Sequence, residues 1–243
     1  MYSKVTFATL FLTMLLTVLA PCATARGLNT DVLSCLDHIY APTEPEEWNG
    51  VFDSKTLFIG DSITYHFITL YLKPNGYIGE ASYMAAPCTA LSHFFSDNWT
   101  LTEAKRNGYG CACDEEFKGL TFAEAVEASA GQYEKVYFML GSNGSSGVTF
   151  EAYKAVTDHL ITAYPNATIY LQTLPNCSTG AVRTKKVNDI VAQIVEAYLA
   201  EENEKVVKLD TNSIWVKGCI AGDGIHLTNK GLEAWYKFIG ENR

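Results

Sequence analysis

The chain is poor in charge and carries no basic run. Of its 243 residues 19% are charged, and 18 Lys and Arg face 27 Asp and Glu for a formal net charge of -9. Phosphate recognition needs clustered Lys and Arg, so nucleic acid is excluded as a partner. No CxxC pair stands with a second CxxC or with a His pair, which removes the common zinc frameworks. Beyond the first 25 residues, no apolar stretch is long enough to span a bilayer. There is no internal repeat and no low-complexity segment. Histidine is scarce, at 5 residues: His38, His66, His93, His159 and His226. Imidazole chemistry therefore has few candidates.

Hydrophobic residues make up 48% of the chain, enough for an ordinary buried core. Residues 1–25 read as a signal peptide rather than as part of the fold. Lys4 supplies a positive start, Val5 to Ala20 is almost wholly apolar, and Ala23-Thr24-Ala25 is a small-x-small cleavage site. An uncleaved anchor is the competing reading, and Pro21 argues against a lipoprotein signal at Cys22. Cleavage after Ala25 predicts a secreted protein without stable membrane insertion. It leaves Cys35, Cys88, Cys111, Cys113, Cys177 and Cys219. An even set in an exported chain predicts disulfides, with fifteen pairings open. Cys111 and Cys113 lie two apart, which favours different partners over each other. Sequons stand at Asn98, Asn143, Asn166 and Asn176.

Residues 26–54 read as an irregular N-terminal extension, with a short helix near Thr30 to Ile39. A regular alternation follows over 55–243. Strands are predicted at Lys55 to Ile59, Tyr77 to Met84, Lys135 to Leu140, Ala167 to Gln172 and Lys205 to Leu209. Helices are predicted at Thr64 to Leu72, Thr89 to Phe95, Phe122 to Ala130, Phe150 to Tyr164, Val182 to Glu201 and Leu227 to Ile239. Asp97 to Gly119 reads as a polar loop or insertion. Continuously apolar strands that alternate with helices imply a parallel sheet covered on both faces. The expected fold class is α/β: a doubly wound, flavodoxin-like domain, with chemistry beyond the carboxyl ends of its strands.

Three segments at such ends carry candidate chemistry. Gly60-Asp61-Ser62-Ile63-Thr64 follows the first strand. Ser62 there is either a nucleophile exposed by a strand-to-helix turn or, with Asp61, a helix cap. Asp223-Gly224-Ile225-His226 offers a base with a carboxylate three residues away, or a capped helix start. Gly141-Ser142-Asn143 leaves the strongest strand, and an Asn amide can donate to an oxyanion. Alone, this last segment is a turn.

Together, and in this order, the segments resemble the SGNH hydrolases, also called the GDSL esterases and lipases. The resemblance covers about Lys55 to the C-terminus. It implies a three-layer α/β/α sandwich around a central parallel sheet of about five strands. It implies that Ser62 is the nucleophile, His226 the base and Asp223 its orienting partner. The Ser62 N–H and the Asn143 side chain would hold the oxyanion, and no metal or organic cofactor is implied. One block departs from the family. Its oxyanion Gly is expected near Tyr83-Met84-Ala85-Ala86-Pro87-Cys88-Thr89, where no Gly occurs. Ala86 or Cys88 is left to supply that N–H, because Pro87 has none.

Three functions follow as expectations. The first is hydrolysis of carboxylic esters, with short acyl groups such as acetyl on a glycan or small molecule. Trp99 and Tyr109 in the insertion suit sugar contacts. The second is acyl transfer to a cell-surface polysaccharide with the same three residues. The third is a silent binding domain, supported by the missing Gly alone. Asn143 is expected to carry no glycan, since a sugar there would block its role.

Overall fold

The computed structural model describes residues 50–102, 110–144, 147–176 and 181–242. These lie within one compact unit, Glu47–Arg243. The signal segment, Cys35, Cys177 and Tyr109 fall outside the described residues, as does most of the N-terminal extension.

The first strand, β1 (Thr56–Gly60), is buried at every position. Its apolar residues leave no polar side to turn to water, so both faces must be covered. It pairs in parallel with β2 (Ser82–Ala85) on one side and β4 (Lys135–Met139) on the other. The latter continues to β5 (Thr168–Gln172) and then β6 (Val206–Leu209), again in parallel. An antiparallel edge strand, β3 (Ala112–Cys113), completes the order β3-β2-β1-β4-β5-β6. The five parallel strands are those expected from sequence. The edge strand is new, and it lies inside the segment read as a loop.

Register builds an aromatic ladder through the sheet. Phe58, Tyr137 and Tyr170 are directly paired neighbours on β1, β4 and β5. Their rings stack at 5.1 and 4.7 Å between centroids. Phe52 adds an edge-on contact to Phe58 at 4.9 Å. Each such ring buried contributes about 1.5–3 kcal/mol by removal from water. The Phe52 contact also places part of the segment ahead of Lys55 in the core, and the Tyr236 hydroxyl donates to the Gly50 carbonyl at 2.6 Å.

Helices cover the two faces. The first, α1 (Ser62–His66), runs on through Phe67–Leu72 in wider turns, with Lys73 N–H bonded to the Ile68 carbonyl five residues back. Its Phe67 stacks on Trp235 of α5 (Asn229–Glu241) at 4.2 Å, on the side that Phe58 and Tyr137 face. Leu232, Trp235, Tyr236 and Ile239 form the buried stripe of α5, at helical spacing. The opposite face receives α2 (Phe122–Ala128), α3 (Phe150–Ala163) and α4 (Ala181–Ala200). Phe138, next to Tyr137 and so on the other side of β4, meets Tyr153 of α3 there at 5.6 Å. Thr121 and Glu124 close the start of α2 as a reciprocal capping box. The result is a three-layer α/β/α sandwich. No helix among the described residues is long and apolar enough to cross a membrane.

Trp99 corrects an expectation. It is 7% exposed, stacks on His93 at 3.7 Å and donates to the Thr89 hydroxyl at 3.1 Å. Leu101 and Phe117 of the same segment are also buried. Trp99 is thus packing that braces the loop after β2, and it offers no face to a sugar.

Candidate active site

In a doubly wound sheet, the crevice opens where neighbouring strands send their chains to opposite faces. Here that point lies between β1 and β4. Ser62 leaves the first and Asn143 leaves the second.

Gly60 makes the turn into α1 possible. A Cβ there would lie 2.0 Å from the Thr64 hydroxyl and 2.9 Å from the Met139 carbonyl. Asp61 then caps the helix by accepting the Ile63 N–H at 3.0 Å. The cap role therefore falls to Asp61, and Ser62 becomes the first helical residue with its hydroxyl released for other use. The cap reading of the segment holds for Asp61.

The Ser62 hydroxyl lies 3.0 Å from His226 Nε2. His226 Nδ1 lies 2.6 Å from the Asp223 carboxylate. Asp223 also accepts the backbone N–H groups of Ile225 and His226, at 2.9 and 3.0 Å. The hydrogen bond from His226 is the main reason its carboxyl is held down at about 2, and the backbone donors add to it. A carboxylate fixed in this way selects the His226 tautomer with its proton on Nδ1 and an acceptor at Nε2. Ser62 and His226 are separated by 164 positions in the chain.

Asp61 is wholly buried. Burial pushes its carboxyl up to about 6, opposed by hydrogen bonds from Ser142 and Ile63. The Ser142 hydroxyl donates to it at 2.5 Å. This bond ties the Ser62 turn to the Asn143 loop. Gly141, at φ 117, bends that loop with a backbone that favours glycine. The Asn143 amide donates to the Thr89 carbonyl at 3.1 Å and meets the Ser142 hydroxyl at 3.2 Å. Asn143 thus joins the loops after β2 and β4 beside the Ser62 turn.

The structure corrects the assignment of Ala86. Its N–H continues the β1–β2 ladder and donates to the Gly60 carbonyl at 3.2 Å. It does not serve the crevice. The next residues form a tight turn, with Thr89 N–H on the Ala86 carbonyl at 3.3 Å, Pro87 at the second position and Cys88 at φ 64. Pro there and a left-handed residue after it mark a type II turn. Cys88 occupies the left-handed corner where glycine is usual.

One neighbour was not singled out as a site residue from sequence. The His66 ring lies 4.4 Å from that of His226, and partial burial holds its own imidazole below the usual range, with repulsion from His226 adding to this. The signal was available, because Ser62 and His66 are four apart on one helix and share a face. Among the described residues, no cluster of three His, Cys, Asp or Glu could hold a metal ion.

The described residues form a doubly wound sandwich with a Ser62–His226–Asp223 row at the carboxyl edge of the sheet. That fold is similar to the one of the SGNH, or GDSL, hydrolases. No family model and no curated protein matches the chain in sequence. Solved structures match in fold. A protein assigned to the G-D-S-L lipolytic family from Desulfitobacterium hafniense superposes with a TM-score of 0.51 at 12% identity, over 77% of this chain and 98% of that one. A carbohydrate esterase of family 3 from Talaromyces cellulolyticus gives 0.49 at 17% identity, over 77% and 94%. The C-terminal catalytic domain of a Streptococcus pneumoniae peptidoglycan O-acetyltransferase gives 0.47 at 15% identity, over 78% and 92%. Of these three the first exceeds 0.5, and at that identity it speaks to the fold.

Proposed function

We propose that this chain is a serine esterase that hydrolyses carboxylic esters with Ser62 as nucleophile. The observation that carries this reading is the continuous hydrogen-bonded row from Ser62 through His226 to Asp223. Ser62 attacks the ester carbonyl and His226 Nε2 takes its proton. Asp223 stabilises the imidazolium that results. The proton then passes to the leaving alcohol, and water repeats the sequence on the acyl-enzyme.

The oxyanion is held by the Ser62 N–H at the start of α1 and by the Asn143 amide, which exchanges a resting partner for it. The Cys88 N–H, at the left-handed corner of the Ala86–Thr89 turn, serves as the third donor in place of Ala86. Each such donor is worth about 3–4 kcal/mol in the transition state. The substrate is a short acyl ester, such as acetyl, on a glycan or small molecule. The side chain of Asp223 is 49% exposed, so that flank of the row is open to bulk water. The small-x-small site at Ala23-Thr24-Ala25 supports export, which suits an extracellular ester.

The test is hydrolysis of p-nitrophenyl acetate and longer esters by the wild type, Ser62→Ala and His226→Ala. Both variants should lose nearly all activity, and rates should fall with acyl length. Equal rates in all three proteins would sink the proposal. A fluorophosphonate should label Ser62 and leave Ser62→Ala unlabelled.

A further inference from the structure

Two cysteines outside the site are brought together by the edge strand. Cys111 and Cys113 flank Ala112, and alternation along a strand sends both side chains to one face. Their sulfurs lie 3.3 Å apart. The backbone is pinned on both sides of the pair. Cys111 N–H donates to the Thr102 carbonyl at 3.3 Å, and Asp114 N–H donates to the Tyr83 carbonyl at 3.2 Å. Between them, Cys113 pairs with Met84 and Ala112 with Ala85. An i,i+2 pair in a strand spans roughly 6.5 Å between Cα atoms, near the upper end of the range that a disulfide bridges. Both residues are half-buried, so small oxidants can reach them.

We infer that Cys111 and Cys113 form a disulfide with each other. This replaces the sequence-based preference for separate partners. The reaction is thiol–disulfide exchange with a disulfide oxidant of the exported environment, either a small-molecule disulfide or the active disulfide of an oxidase. The Cys111 or Cys113 thiolate attacks one oxidant sulfur and expels a thiol. The second cysteine then displaces that mixed disulfide and releases a second thiol. One S–S bond forms, one breaks, and the two cysteine protons leave on the oxidant's thiols. In the reduced form, the hydrogen bond between the two sulfurs, then burial, pushes the Cys113 thiol up. A second thiolate is therefore opposed while the first is charged, and oxidation removes that conflict.

The bond has a structural consequence. The edge strand has two residues, and its partner β2 runs directly into the turn that holds Cys88. Closing a ring across Ala112 removes local freedom from the unpaired strand and discourages β3 from peeling away.

The experiment is a non-reducing peptide map of the purified exported protein, with its thiols blocked by N-ethylmaleimide before denaturation. Trypsin releases residues 107–118, which hold Cys111 and Cys113 and no other cysteine. The expected peptide is lighter than the dithiol form by two hydrogens, and it takes up two labels only after reduction. Two labels without reduction would overturn the proposal. So would this peptide found linked to one that contains Cys35, Cys88, Cys177 or Cys219. The wild-type map stands whether or not variants fold. In support, Cys111→Ser/Cys113→Ser should remove any fall in melting temperature caused by reductant that is specific to this bond. An undiminished fall would count against the clamp.

Discussion

Replacing Asp61 by Asn should make the protein more stable and less active. The Asp61 carboxyl sits at about 6 rather than 3.8 because it is fully buried. A raised value means that the folded state prefers the protonated acid. The stability this contributes is fully present below about 3.8. It is lost as pH rises through about 6, where the buried group must ionise. A shift of that size, at ~1.4 kcal/mol per unit, corresponds to ~3 kcal/mol. Asparagine keeps the cap, since its carbonyl can still accept the Ile63 N–H. The Ser142 hydroxyl then turns from donor to acceptor for the new amide. At pH 8 Asp61→Asn should therefore melt above the wild type, by up to roughly 6–12 °C for a domain of this size. The difference should vanish towards pH 4. Asp114 is also raised by burial and tilts the wild-type curve, so the difference between the two proteins is the quantity to follow. Activity should move the other way, because the Asp61 anion and a charged His226 attract each other. Thermal melts at unit steps from pH 4 to 8, beside ester hydrolysis, give both answers. A variant that melts at or below the wild type at pH 8, or a difference that does not change with pH, would refute the reasoning.

Asn143→Ala should lower kcat by about 10²–10³-fold with KM little changed, as expected for a donor used in the transition state. Intact mass of active protein should show no glycan on Asn143. Gly60→Ala should destabilise by at least ~3 kcal/mol in a denaturant titration, because the added carbon meets the Thr64 side chain and the Met139 carbonyl at once. Cys88→Gly should retain full esterase activity. It keeps the backbone N–H and relieves a left-handed residue, whose cost of ~1 kcal/mol or more is partly offset by glycine's freedom in the unfolded chain. A large loss of kcat in Cys88→Gly would show that the thiol itself matters.

The frame of this fold was legible because its strands are buried on both faces. Lys135 to Leu140 could be read from apolar content alone, and β4 spans Lys135–Met139. Ser62, Asn143 and His226 were legible for a related reason. Each follows or precedes an element whose period is strong, so its place at the sheet's edge could be counted. What escaped is what depends on pairs distant in sequence. Ala86 looked free because its bond to Gly60 is a sheet contact, invisible along the chain. Pro87 figures in the sequence only through the N–H it lacks, and a cysteine at the left-handed position after it hid the glycine-like role of Cys88. Trp99 sat among polar residues and was read as exposed, while His93 and Thr89 enclose it. β3 spans two residues, too few for any period to register.

The separation of 164 positions between Ser62 and His226 bears on how the protein comes to be active. Ser62 and the first strand can meet early, through local contacts. His226 arrives only when the segment ahead of the last described helix docks, and contacts of such long range form late and slowly. On the proposed mechanism, a growing or partly folded chain therefore displays the serine without the group that activates it. Activity becomes a report on completed assembly. During refolding it should recover with the slowest phase, after the signals of helix and sheet have already returned.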